Sequence, residues 1–135
     1  MNFNRLTEIA YALKPPEFGY KCWHVTFALR KSKVLSIGVN DHTKTHTRNL
    51  RLPHIDIETG KHFGARANIH SELACLLKLG MEDCSSLTFV NARIDRNGDL
   101  NMSIPCNGCR AMLSQVGFKR IYYTSKKGIF EELCM

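Results

Sequence analysis

The chain has 135 residues, enough to bury one sizeable core and too few for two ordinary ones. Hydrophobic residues at 44% and charged residues at 23% match a soluble globular average, which excludes a fibrous repeat and extended disorder, and no apolar run approaches a membrane span. Lys and Arg number 19 against 12 Asp and Glu, and the resulting charge of +7 favours phosphate-bearing partners without choosing between nucleotide and nucleic acid.

Phe3, Leu6, Ile9, Ala10 and Leu13 recur at helical spacing, and Pro15-Pro16 end that helix, since the residue before a proline avoids helical geometry and proline has no amide donor. This stretch carries Arg5 and Glu8 and lacks the charged, apolar, small order of a secretion signal, so a cytoplasmic protein is expected. Trp23–Leu29 and Val34–Val39 are β-prone runs split by Arg30-Lys31-Ser32-Lys33, which reads as a hairpin turn. From Asn40 to Asn68 the periodicity is lost, and a connection of that length usually serves as a lid or binding loop. Ile69, Leu73, Leu76 and Leu77 restore a helical stripe that Gly80 ends. Leu87–Ile94 predicts a strand closed by the turn Asp95-Arg96-Asn97-Gly98, with Leu100–Ile104 returning beside it. Pro105 stands where a further helix begins, with Cys109, Met112, Leu113 and Val116 as its inner stripe up to Gly117. Ile121–Thr124 and Ile129–Leu133 flank Ser125-Lys126-Lys127-Gly128 and predict a closing hairpin, with a short helix as the alternative for the last segment. The alternation predicts one α/β domain with helices packed on a mixed sheet.

Of six cysteines, Cys22, Cys75, Cys84 and Cys134 are scattered, while Cys106 and Cys109 form a C-x-x-C pair, which points to a reduced protein using two thiols chemically. His70-Ser71-Glu72 opens one helix and Pro105-Cys106-Asn107-Gly108-Cys109 opens another. Together they supply an imidazole and two thiols, ligands that a catalytic zinc accepts while keeping its fourth position for water. A three-residue spacing at a helix start brings both sulfurs to one point, and the positive helix end favours thiolates. Glu72 projects over its helix end, where a carboxylate can take a proton from water whose pKa zinc lowers from about 16 toward roughly 7. A purely structural zinc would need a fourth protein ligand, and none stands nearby except Glu72. A thiol redox pair would account for the C-x-x-C and not for the His-x-Glu. The four scattered cysteines carry no assigned role, and His24 reads as a satisfied strand residue.

H-x-E followed by P-C-x-x-C is the pattern of the zinc deaminases of cytosine and adenine, and on it the chain resembles the cytidine and deoxycytidylate deaminase superfamily. Free cytidine deaminases usually place a cysteine where His70 stands, so the wording is closer to the deoxycytidylate-type and to tRNA or polynucleotide deaminases. The resemblance implies a single domain over residues 1–135, a three-layer α/β/α arrangement around a mixed sheet of about five strands, Zn2+ on His70, Cys106 and Cys109, and Glu72 as proton carrier. It further implies hydrolytic conversion of cytosine to uracil in a free nucleotide such as deoxycytidylate, with release of ammonia, and self-association into a homo-oligomer in a bacterial or phage-infected cell. A polynucleotide cytosine or adenine deaminase, and an inactive zinc-containing nucleic-acid-binding module, are the alternatives.

Ile37-Gly38-Val39-Asn40 is similar to the family's second-strand ending, whose asparagine holds sugar or base, which makes Asn40 a substrate candidate. Thr43-Lys44-Thr45-His46 and Asn101-Met102-Ser103-Ile104-Pro105-Cys106 are similar to stretches of small phage or bacterial deaminases, which adds Lys44 and His46. Ser71 stands where the family usually has alanine, and the resemblance implies that it acts through its backbone amide on the base edge. Of Tyr122 and Tyr123, one is expected in the core, and the other, with Tyr123 the candidate, on a base or at a subunit contact. Lys44, His46, Arg48, Arg51, Lys61 and Arg66 read as a solvated basic surface or as a phosphate grip. The loop's His42, His46, His54 and His62 lack cysteine partners, so a second, structural zinc is not expected.

Overall fold

A computed structural model describes residues 2–14, 22–40, 54–55, 62–63, 71–79 and 84–133. Helix α1 spans Phe3–Leu13, capped by Asn2, whose side chain accepts the Arg5 amide at 3.1 Å, and it buries Leu6 and Ala10. It ends at Lys14, directly before the proline pair. Strands β1 (Cys22–Arg30) and β2 (Lys33–Val39) form the expected antiparallel hairpin. Two very short strands, β3 (His54–Ile55) and β4 (His62–Phe63), pair antiparallel inside the segment without periodicity. Helix α2 (Ser71–Leu79) and strand β5 (Thr88–Asp95) follow, then β6 (Leu100–Asn101), helix α3 (Asn107–Gln115), β7 (Arg120–Thr124) and β8 (Phe130–Leu133). The last segment is therefore the strand of a hairpin and not a helix.

The main sheet has six strands, one more than the five or so expected. Its path runs β2-β1-β5-β7-β8, and β6 pairs with the far half of β5. Among the described strands only β5 and β7 run parallel. The run Leu100–Ile104 is strand for two residues alone, because the Ser103 amide turns to the Thr124 carbonyl at 2.9 Å and leads the chain toward α3.

Period-two alternation divides the strand residues between two apolar layers. Val25, Phe27, Leu29, Val90 and Ile94 face Leu6 and Ala10 of α1. Ala28, Phe89, Ile121 and Leu133 face Leu73 and Leu76 of α2 and Met112 and Leu113 of α3. The result is the three-layer α/β/α arrangement, in which each fully buried Leu or Phe contributes about 1.5–3 kcal/mol. Among the described residues no helix is long and apolar enough to cross a membrane.

Register places one line of residues beneath α2. Gly38 of β2 lies opposite Thr26 of β1, Thr26 opposite Asn91 of β5, and Asn91 opposite Tyr123 of β7. At Gly38 the helix sits almost on the strand, since a Cβ there would collide with the Ser71 carbonyl oxygen and the Cys75 amide.

Candidate active site

Three polar residues of this line's surroundings, Thr26, Ser71 and Asn91, are 0–1% exposed, which is tolerable only where their polar atoms are bonded. They are. The Thr26 hydroxyl lies 2.8 Å from Ser71 Oγ and 2.7 Å from Asn91 Oδ1. Ser71 Oγ donates to Glu72 Oε1 at 2.9 Å, and Asn91 Nδ2 donates to the same oxygen at 3.3 Å. The Asn91 amide nitrogen also donates to the Ser103 carbonyl at 2.7 Å, while Ser103 Oγ donates to the Asn91 carbonyl at 2.8 Å and accepts the Thr124 amide at 2.7 Å. Glu72 is thus a buried carboxylate, 5% exposed, held from below by the sheet.

The second helix start supplies the sulfurs. Cys106 is the N-cap of α3, with extended backbone (φ −66°, ψ 164°), and its carbonyl accepts the Arg110 amide at 2.8 Å. Pro105 therefore precedes the cap, where sequence reading had put the first helical residue. Its fixed φ suits the extended entry. Cys109 is the third helical residue, and N-cap and third-position side chains face one another over a helix start, as in a capping box. The Cys109 thiol is buried and hydrogen-bonded to Cys106. That bond, then burial, then the neighbouring Glu72 carboxylate hold its pKa well above the usual thiol value. Two thiols and a carboxylate from two helix starts consequently adjoin.

Two adjacent thiols beside a buried carboxylate are donors of the type zinc prefers. His70, the third donor expected from the sequence, lies outside the described residues, as do Lys44 and His46. Among the described residues no group of three or more His, Cys, Asp or Glu is arranged to hold a metal.

Asn40 is buried at the end of β2, where its Oδ1 accepts the His24 amide at 3.0 Å and its own amide donates to the His24 carbonyl at 3.3 Å. Its carboxamide oxygen thus clamps the hairpin at the open end of the sheet. Tyr123 and Tyr122 are both half-buried and lie on opposite faces. Tyr123 packs in the layer of α2 and α3, beside Asn91, while Tyr122 meets Phe3 edge-on at 5.3 Å in the layer of α1. Arg93 Nη1 donates to the Met102 carbonyl at 3.4 Å, fastening the segment that leads to Cys106. A cavity of about 740 Å3 lies between α1 and the β1–β2 turn, rimmed by Arg5, Arg30, Lys31 and Lys33, on the other face of the sheet from Glu72.

Sequence reading missed Asn91, Thr26 and Ser103. The available signal was a carboxamide inside the otherwise apolar stretch Phe89-Val90-Asn91-Ala92, and a threonine in the middle of β1.

No protein-family profile and no curated protein matches the chain. Solved structures do. A cytidine deaminase from Mycobacterium leprae superposes with a TM-score of 0.58 at 17% identity, covering 98% of this chain and 93% of its own. The dCMP deaminase of cyanophage S-TIM5 in complex with dCMP and dUMP gives 0.55 at 17%, covering 91% and 80%. Its apo form gives 0.51 at 16%, covering 90% and 78%. At these identities the likeness is one of fold.

Proposed function

Starting from a chain that has the cytidine-deaminase fold, we propose that it is a zinc-dependent hydrolytic deaminase of a free cytosine nucleotide, deoxycytidylate or a close relative. The observation that carries this reading is the contact of Glu72 with Cys109 and, through it, Cys106, where two helices begin on one face of the sheet. His70, Cys106 and Cys109 would hold zinc, which when bound supplies Lewis acidity that eases loss of a proton from water. Glu72 takes that proton from the attacking water and gives it to the ring nitrogen next to the reacting carbon. The carbon becomes tetrahedral. Glu72 then takes the remaining proton from the hydroxyl on that carbon and passes it to the exocyclic amine, which leaves as ammonia as the carbon–nitrogen bond breaks and the water oxygen stays as the new carbonyl. A buried carboxylate suits this task because electrostatic interactions strengthen where water is excluded.

In this reading Asn40 holds the sugar, the Ser71 backbone amide the base edge, Tyr123 the base face, and Lys44 with His46 the phosphate. The solved structure of the phage deaminase with dCMP and dUMP supports a nucleotide of this class. The polynucleotide alternative draws on the +7 charge, but the cation-rimmed cavity stands on the face away from Glu72 and offers nothing to a base bound there. Self-association belongs to the same reading and is checked by light scattering of the purified protein.

The test is ammonia release by the zinc-loaded protein from cytidine, deoxycytidine, their mono- and triphosphates, and single-stranded DNA and RNA. Turnover is expected on deoxycytidylate. Glu72→Gln is expected to keep its zinc and lose about 100-fold or more in kcat, the contribution of a positioned proton carrier. Unimpaired turnover in that variant removes Glu72 from its role, turnover on oligonucleotides alone replaces the substrate, and no ammonia from any substrate ends the reading.

A further inference from the structure

Asn91 uses every polar atom of its side chain. Its oxygen accepts from Thr26, one amide hydrogen goes to Glu72 Oε1 and the other to the Ser103 carbonyl. Flipping the amide would set its oxygen against two acceptors, Glu72 Oε1 and the Ser103 carbonyl, so its orientation is fixed by its neighbours. Ser103 precedes Cys106 by three residues. One side chain in the central strand therefore bonds both the carboxylate on α2 and the segment that delivers the sulfurs to α3. A carboxamide 1% exposed in a strand flanked by Val90 and Ala92 is costly to bury unless its polar atoms are bonded, as these are.

We propose that Asn91, oriented by Thr26, is a positioning residue for Glu72: it fixes Oε1 relative to the thiol-bearing loop and leaves Oε2 as the oxygen that exchanges the proton. The proposal rests on the reading of Glu72 as proton carrier. Ser71 supplies the second donor to Oε1, so two bonds hold that oxygen. Thr26 acts at one remove, through the Asn91 oxygen.

The experiment uses the full zinc-loaded chain with deoxycytidylate. Asn91→Ala is expected to lower kcat about 10- to 100-fold, the usual loss when a group that orients an active-site residue is removed, with KM and zinc content little changed. Thr26→Val should lower kcat by less, and Thr26→Ser, which keeps the hydroxyl, should restore it. A merely structural role would lower the melting temperature and leave kcat intact well below it, which would overturn the proposal. A second readout needs neither substrate nor turnover. The Asn91 side-chain amide pair in a nitrogen-proton spectrum, identified by its loss in Asn91→Ala or by selective labelling should that variant fail to fold, is expected to move in Glu72→Gln and in Thr26→Val. It should stay in Gly98→Ala, a remote control. An unmoved pair in Glu72→Gln means that the contact is absent and the proposal falls. If the wild type releases no ammonia from any substrate, the deaminase reading fails by itself, and the amide pair still decides whether Asn91 holds Glu72.

Discussion

Burial sets the reactivity of Cys75. Cys75 sits inside α2 with its Sγ 3.8 Å from the Ser36 carbonyl, and burial first of all lifts its pKa to about 11. Since the thiolate is the reactive form, Cys75 is expected to stay unmodified by iodoacetamide at pH 8 in the native protein and to react once the chain unfolds. Peptide mapping by mass spectrometry reads the outcome, and native labelling of Cys75 would contradict its burial. Cys106 and Cys109 were legible in the sequence because three residues of spacing and a preceding proline are local information. Glu72 was legible for the same reason. Asn91 was not, because its partners Thr26 and Ser103 come from other stretches, and only pairing of distant strands tells a bonded carboxamide from a misplaced one.

At the scale of elements, the seat of α2 depends on Gly38. A methyl group there would meet backbone atoms of Ser71 and Cys75, which move only if the helix start moves, and Glu72 with it. Overpacking of this kind typically costs about 1–3 kcal/mol. Gly98 offers a contrast. It adopts φ +83° in the β5–β6 turn with open space around it, so alanine there brings only the left-handed penalty of about 1–2 kcal/mol. Gly38→Ala is expected to lower both the melting temperature and kcat, while Gly98→Ala lowers the first and spares the second. Thermal unfolding and steady-state kinetics on the two variants separate the effects. The elements that carry apolar periodicity, α1, β1, β2, α2, β5, α3 and the final hairpin, were readable from sequence, since a core face leaves a repeat. The two-residue strands β3 and β4 leave none, because a period needs several residues to show itself, while β6 was expected as part of the longer run Leu100–Ile104.

For the whole molecule, the proposed zinc would tie together the starts of two helices that share one core layer. Metal that binds the folded chain alone adds stability by mass action, about 4 kcal/mol when free zinc exceeds its dissociation constant a thousandfold. Chelation is expected to lower the melting temperature and added zinc to restore it, and a temperature indifferent to both would contradict a bound metal. Reductant should leave Cys75, Cys84, Cys106 and Cys109 unchanged, because these four form no disulfide.

Strands β1 and β5 pair over eight consecutive residues, Cys22–Leu29 with Asp95–Thr88. Their side chains take turns between the two layers, so the support under the carboxylate is a matter of phase. Loss of a single residue from β5 just ahead of position 91 would hand its carboxamide to the α1 side and leave an apolar neighbour beneath Glu72. Such a deletion could keep most of the hydrophobic composition of the sheet and still disarm the chain, which makes the strand interiors the least forgiving place for a change of length.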